Sequence, residues 1–352
     1  MPSRPGTALA RYLALAYVLL VVYASLHPFS GWRDLGLPPL AFLEAGWPRY
    51  WTGFDLAVNV GVYLPLGFLL ALALPTPVWR RFLPSLLATL LGAGLSLGLE
   101  AAQTWLPSRV PSSLDLACNS LGALGGAVVA FFHGERLFLR LTHWHGRLVA
   151  DLPHAELGVV LLGLWLVTQL SPETLLFGSG DLRSLLGLPL GGVQFSPVLF
   201  QLVEALIVAA NVVALGLFAR TLLAPVWPAW IGPPLLIVLA LGVKALALAV
   251  LVSPGDAFSW WSEGARQGLL WGAIALAALA WLPPGWRIAL AGLALMGATV
   301  LVNLAPENPY SLAALGVWRQ GHFFNFNGLT RLTAVLWPFV ALPTLMLMGR
   351  RL

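Results

Sequence analysis

Residues 100–119, EAAQTWLPSRVPSSLDLACN, are the stretch on which the reading of this chain turns. Long apolar runs flank it, yet within it stand Glu100, Gln103, Arg109, Asp115 and Asn119. Glu100 and Gln103 close one run, Asp115 and Asn119 open the next, and Arg109 lies in a link bounded by Pro107 and Pro111. If both runs are helices, Glu100 and Gln103 share a face at i, i+3, and Asp115 and Asn119 share another at i, i+4. So short a link makes the two helices antiparallel neighbours. Upstream, Asp55-Leu56-Ala57-Val58-Asn59 echoes Asp115-Leu116-Ala117-Cys118-Asn119, so two helices begin alike.

The 352 residues are 59% hydrophobic and only 9% charged, with a mean hydropathy of +0.85. Soluble domains carry roughly 25% charged residues. The fold class this implies is all-α, a polytopic transmembrane helix bundle with the lipid bilayer as its partner. The sequence pI of about 9.9 is not gathered into a basic stripe, so nucleic acid is not an expected partner. Cys118 is the single cysteine, which excludes an intrachain disulfide. The six histidines lack metal-ligand spacing, His143 and His145 being two apart. No metal or cofactor is expected. The sequence holds no phosphate loop, dinucleotide fingerprint, zinc-protease motif or nucleophile elbow. Gly178-Ser179-Gly180 is too short to cradle a phosphate.

About 20 apolar residues suffice to cross a hydrocarbon core of ~30 Å, and about ten segments qualify. The first runs to Leu26 after Arg11. It resembles a signal peptide, with Val22-Tyr23-Ala24 as a weak cleavage site, but reads better as an uncleaved first helix. The others lie near 54–74, 83–106, 113–132, 156–176, 196–219, 231–252, 264–282, 286–304 and 331–349. Residues 27–53 read as an external loop or re-entrant segment, with Trp32, Trp47 and Trp51 suited to an interfacial belt. Gly122, Gly125 and Gly126 are small enough for close helix approach. The stretch 133–155, with Arg136, Arg140 and Arg147, reads as a basic cytoplasmic linker between a domain at 1–132 and a six-helix region at 156–352. The connections 177–195 and 305–330 are the only long ones in that region. The second holds Asn308-Pro309-Tyr310 and the run His322 to Gly328, a lid or simply a long loop.

Positive residues favour the cytoplasmic side. Placing both termini inside puts eleven arginines there against seven outside, with every strong cluster inside. The outer ends of the second, third and fourth spans then bring together Asp55, Asn59, Glu100, Gln103, Arg109, Asp115 and Asn119 as a ligand-binding site. No residue is assigned a catalytic role. Plainer readings exist for each. Thr52 with Asp55, and Ser112 with Asp115, fit capping boxes, and Asn59 and Asn119 can join helices by hydrogen bonds. Glu100, about six residues from its span's end, lies roughly 9 Å below the interface. There it must be paired, protonated or facing water, and Arg109 is the nearest basic residue. Glu204 and Lys244 stand near mid-span in neighbouring segments; intramembrane ionisable residues mark a functional site by default, and the plainer reading is that the two neutralise each other.

Asp55 with Asn59 and Gly61, Pro65 with Gly67, Glu100-x-x-Gln103, Arg109, and Asp115-x-x-x-Asn119-x-x-Gly122 resemble the VanZ-like family of bacterial membrane proteins, over roughly residues 10–132. The resemblance implies a multi-pass protein of the bacterial cytoplasmic membrane, in a family whose named member is associated with teicoplanin resistance. It supplies no molecular activity, and the six C-terminal segments depart from the minimal family pattern. The expected function is an outward-facing polar site for an envelope lipid, a lipid-linked precursor or a glycopeptide-like ligand. In it Arg109 contacts an anionic group, Glu100 takes a proton or anchors a head group, and the amides orient the ligand. A secondary transporter or flippase is the alternative, resting on Lys244 and Glu204; the DLAxN echo, however, gives no inverted repeat. An enzyme with Glu100 or Asp115 as general base would lack an obvious nucleophile or metal set. The residues decide neither for nor against catalysis.

Overall fold

The computed structural model describes residues 5–48, 50–74, 82–183, 196–224, 226–228, 230–306 and 324–350. Every expected apolar segment is helical. In chain order the helices are α1 (Pro5–Leu26), α2 (Gly53–Ala73), α3 (Phe82–Gln103), α4 (Ser113–Leu148) and α5 (Ala155–Thr168). They continue as α6 (Pro197–Leu222), α7 (Gly232–Leu251), α8 (Glu263–Leu279), α9 (Pro284–Leu304) and α10 (Phe324–Gly349). The described residues hold no strand, only an isolated bridge between Val149 and Leu223. Arg4, Arg49, Arg80, Arg81, Arg319, Arg351, residues 184–195 and the Asn308-Pro309-Tyr310 segment lie outside the described residues.

Among the described residues eight helices are long and apolar enough to cross a bilayer, so this is an all-α, multi-pass membrane protein. The two other segments make shorter helices, α5 of 14 residues and α8 of 17. At 1.5 Å per residue these reach about 21 and 26 Å, short of the ~30 Å core. α5 stops early because Pro172 follows its last turn and the residue before a proline disfavours helix. α4 instead runs well beyond its apolar part, through Leu148.

The chain divides into two compact units, Met1–His145 and Gly146–Leu352. In the first, α1 packs on α2 and α3 around Val21, Tyr63, Leu66, Leu99 and Ala123. Arg11 at the start of α1 donates to the Ala73 carbonyl that ends α2. The backbones of α2 and α4 nearly touch. A Cβ at Gly122 would strike the Val60 carbonyl, one at Gly126 the Leu64 carbonyl, and one at Gly67 the backbone of Ala123. Lipid gives no hydrophobic push between helices, so such close packing is what holds them together. Gly125 faces open space.

The second unit is built around α6, buried without a break from Asn211 to Ala219. Gly264, Gly268 and Gly272 of α8, spaced four apart, let that helix lie against Gln201, Ala205 and Ala209 of α6. α9 packs along α6 as well, and α10 packs on α9 and α5. Between α5 and α6, Leu176–Gly180 is buried but not helical. Non-helical backbone is tolerated at membrane depth only where protein satisfies its polar groups. Here the Gly180 N–H donates to the Ala334 carbonyl at 2.8 Å. That carbonyl is free because Pro338, one turn on in α10, has no N–H to give it. Asn303 of α9 donates to the Gly180 carbonyl at 2.8 Å.

Candidate functional site

The site of the first unit lies where α2 and α4 begin and α3 ends. Thr52 caps α2 with a complete capping box: its hydroxyl accepts from the Asp55 N–H, and Asp55 Oδ2 accepts from the Thr52 N–H at 3.0 Å. At α4 the same sequence pattern is used differently. Ser112 Oγ accepts from the Asp115 N–H at 3.2 Å, but the Ser112 N–H donates to Glu100 Oε2 at 2.8 Å. Glu100, buried at the end of α3, thus takes the place of the local acid. The Asp115 carboxylate, relieved of capping, accepts instead from Asn59 Nδ2 of α2 at 2.9 Å. One turn inward, Asn119 donates to Ser96 Oγ of α3 at 2.9 Å, and Ser96 is hydrogen-bonded to Tyr63 of α2. Three helices are therefore tied by two polar layers. Asp115 lies within electrostatic reach of both Asp55 and Glu100.

Residues 10–134 match the family model described as VanZ/LLP1. This segment is a VanZ-like domain. No curated protein and no solved structure matches the chain.

Within the VanZ-like unit, Arg109 and Gln103 serve another end. Arg109 Nη2 donates to the carbonyls of Ala24 and His27 at 3.1 Å each, and its Nε to His27 at 3.2 Å. Gln103 Nε2 donates to the Ser25 carbonyl at 3.0 Å. Both side chains close the C-terminus of α1, whose last carbonyls lack helical partners and carry its negative dipole end. Arg109, the basic residue nearest Glu100 in the sequence, is thus engaged by these carbonyls, while Glu100 accepts from the Ser112 N–H instead. Half-burial draws the Arg109 pKa down from its ordinary value. His27 is held below the usual histidine range by burial and then by Arg109, so it is neutral at pH 7 and bonds Tyr23 through Nδ1 at 2.6 Å.

Replacing Arg109 by alanine is accordingly expected to loosen the α1 terminus. A hydrogen bond to a charged group contributes about 1.5–3 kcal/mol, and the guanidinium serves two carbonyls. Lysine cannot reproduce the fork and should recover only part of the loss. Thermal unfolding of both variants in detergent checks this.

Sequence reasoning passed over a groove of about 630 Å³ beside these carboxylates. The loop before α2 forms its wall and is fastened to α4 by Ser113 Oγ, which donates to the Gly46 carbonyl at 2.9 Å. Gly46 has φ +72, a left-handed conformation that glycine adopts freely. Trp47, Tyr50, Trp51 and Phe54 rim the groove, and Asp55, Asn59 and Asp115 lie along it. Glu100, Gln103, Arg109 and Asn119 do not line it. The tryptophans of this loop were legible in the sequence; its fastening to α4 through Ser113 was not.

In the second unit Glu204 and Lys244 have separate partners, so the plainer reading in which they neutralise each other does not hold. Glu204 accepts from Ser262 Oγ at 2.6 Å at the start of α8. The Lys244 ammonium donates to the Ser171 carbonyl at 2.6 Å and to the Thr174 carbonyl at 2.9 Å. Each residue faces a different neighbour of its own helix, a matter of rotation that mid-span position does not reveal.

Proposed function

We propose that the protein is a membrane-embedded binding protein whose VanZ-like unit receives the head group of an envelope lipid or lipid-linked precursor. The observation that carries this is the groove: it opens at the ends of membrane-spanning helices, combines exposed aromatic rings with carboxylates and an amide, and is large enough for a head group. Ligand sites pair apolar walls with a few placed polar groups, and tryptophan and tyrosine suit the boundary between lipid and water. In this reading Asp115 and Asn59 fix the ligand's polar end. Glu100, Gln103, Arg109 and Asn119 hold the helix ends that shape the groove. The groove faces outward from a bacterial cytoplasmic membrane, and glycopeptide-like molecules belong to the same class of ligand.

The test is the set of amphiphiles that copurify with the protein. Trp51 and Phe54 are 54% and 76% exposed, so changing both to alanine spares the fold. Aromatic anchors commonly dominate binding, and the double variant should retain about a tenth or less of the wild-type amphiphile by mass spectrometry. Equal retention rules the groove out.

A second reading, transport, is favoured by the buried non-helical stretch Leu176–Gly180 and by Lys244 beside it in the chain's second unit. Broken backbone at membrane depth is how transporters build substrate sites. It would require flux in proteoliposomes that Lys244→Met abolishes without loss of folded protein.

A further inference from the structure

We infer that the chain's second unit holds a phosphate group, borne by an anionic lipid or by a soluble molecule, between Arg220 near the end of α6 and Arg287 near the start of α9. Arg287 is only 8% exposed. Its Nη1 donates to the Arg220 backbone carbonyl at 3.3 Å, which places its guanidinium at the level of Arg220, whose charge acts on it. Among the described residues the ion pairs are those of Arg183 with Asp181, Arg266 with Glu263 and Arg331 with Glu173. None involves Arg220 or Arg287. Two like charges are thus packed together with no counterion from the described chain.

Each guanidinium carries five N–H donors and keeps its proton inside proteins. Together the two side chains make a single hydrogen bond, the one to the Arg220 carbonyl, and the Nε of each is buried with no partner. Helix capping accounts for little of this. Arg109 shows what capping looks like in this chain, with three bonds shared between two carbonyls. The end of α6 supplies about half a negative charge, and the start of α9 returns about half a positive one. Nearly two full charges therefore remain. Burying a charge is costly unless it is paired, so the arrangement calls for an anion, on which the two arginines would close from neighbouring helices.

The donor type and the depth both suit phosphate. Planar guanidinium forks match phosphate oxygens in pairs. Arg220 stands just before Leu222, where α6 ends, and Arg287 just after Pro284, where α9 starts, so at 1.5 Å per residue both lie about 3–5 Å inside the ends of spanning helices. That is the level of lipid head groups. Trp286 beside Arg287 is exposed and suits the same boundary. α10 ends here too, since a Cβ at Gly349 would lie 3.2 Å from Ile288 Cγ2, and this brings Arg350 to the same face. The Ala150 N–H donates to the Leu222 carbonyl, so Asp151 and Glu156 belong to this face as well, yet neither forms an ion pair with the arginines.

The experiment uses the full chain, delipidated in a nonionic maltoside detergent and phosphate-free buffer, and reads thermal unfolding against three probes: dioleoyl phosphatidylglycerol, dioleoyl phosphatidylcholine and inorganic phosphate. A ligand of the folded state raises Tm. Phosphatidylglycerol should raise it by about 5 °C, and phosphatidylcholine, of no net charge, by less. Arg287→Gln and Arg220→Gln should each remove most of that rise. Arg266→Gln, which takes the same charge from the start of α8, should keep it. Without lipid, Arg287→Gln should be at least as stable as wild type, because one of two repelling charges is gone; a mere cap for α6 predicts a lower Tm and an undiminished response to lipid, which would overturn the inference. Where Arg287→Gln fails to fold, the half-buried Arg220→Gln carries the same test. Inorganic phosphate separates the sources: no rise assigns the site to a lipid-borne phosphate, and a rise lost in the same variants assigns it to a soluble one. Equal rises with both lipids, a phosphatidylglycerol rise unchanged in both arginine variants, or no rise with any probe overturns the inference.

Discussion

Changing Gly126 to leucine is expected to leave little folded VanZ-like unit. A Cβ there would fall on the Leu64 carbonyl and crowd the Phe68 N–H, both of them backbone, so no rotamer of a neighbour relieves the clash. α2 and α4 would have to separate. Overpacking costs typically 1–3 kcal/mol where side chains can shift, and more here because a helix must move. Separation would also break the Asn59 to Asp115 bond at 2.9 Å and tear the groove wall. Gly125→Ala is the matched control, because its Cβ meets nothing. It should be neutral or stabilising by up to about 1 kcal/mol, since alanine favours helix over glycine. Size-exclusion profiles of heated, detergent-solubilised protein separate the two outcomes. Equal stability of both variants would mean that α2 and α4 do not pack on these glycines.

Much of this architecture was legible because it depends on local rules. Apolar runs predicted helices, and each run carries one, two of them shorter than expected. Thr52 and Asp55 predicted a cap, and the box is complete. What escaped depends on partners distant in sequence. Ser112 and Asp115 follow the same pattern, yet half of that box is supplied by Glu100, twelve residues away from Ser112. Nothing local says that a buried carboxylate will prefer the positive end of a neighbouring helix to a nearby guanidinium. Nor does sequence show that the 27–51 loop brings the α1 terminus, with its unmatched carbonyls, within reach of Arg109. Once those carbonyls are present they offer two or three acceptors to one fork, and Glu100 is left to the helix end. The candidate residues do gather, but in two groups. Asp55, Asn59 and Asp115 face the groove; the rest hold the helix ends around it. The long expected spans at 156–176 and 264–282 likewise formed only in part, because hydropathy counts apolar residues and does not see where Pro172 or a turn ends the helix.

The second large effect is expected at Lys244, which is 2% exposed. Its stem fills part of the space between α7 and the 170–175 turn, and its ammonium serves acceptors that are all neutral: two carbonyls and the Thr174 hydroxyl oxygen, at 2.6, 2.9 and 3.3 Å. Lys244→Ala removes the stem and the donor together. Truncating a large buried side chain to alanine costs about 2–5 kcal/mol, and an orphaned buried carbonyl adds about 1–3 kcal/mol. Against a total stability of about 5–15 kcal/mol, the second unit should be close to unfolding. Lys244→Met fills the same space and removes a charge whose burial was itself costly. The Ser171 carbonyl still receives the Thr174 hydroxyl at 3.3 Å, so one acceptor, the Thr174 carbonyl, is stranded. Methionine should therefore recover most of the stability, within about 1–3 kcal/mol of wild type. Lys244→Glu would aim a carboxylate at carbonyl oxygens and should not fold. Thermal unfolding of the series in one detergent orders them as wild type, Met, Ala and Glu. If Met were as damaging as Ala, the ammonium rather than its stem would hold the turn, and this lysine would be an internal cation clamping the backbone that enters the buried Leu176–Gly180 stretch.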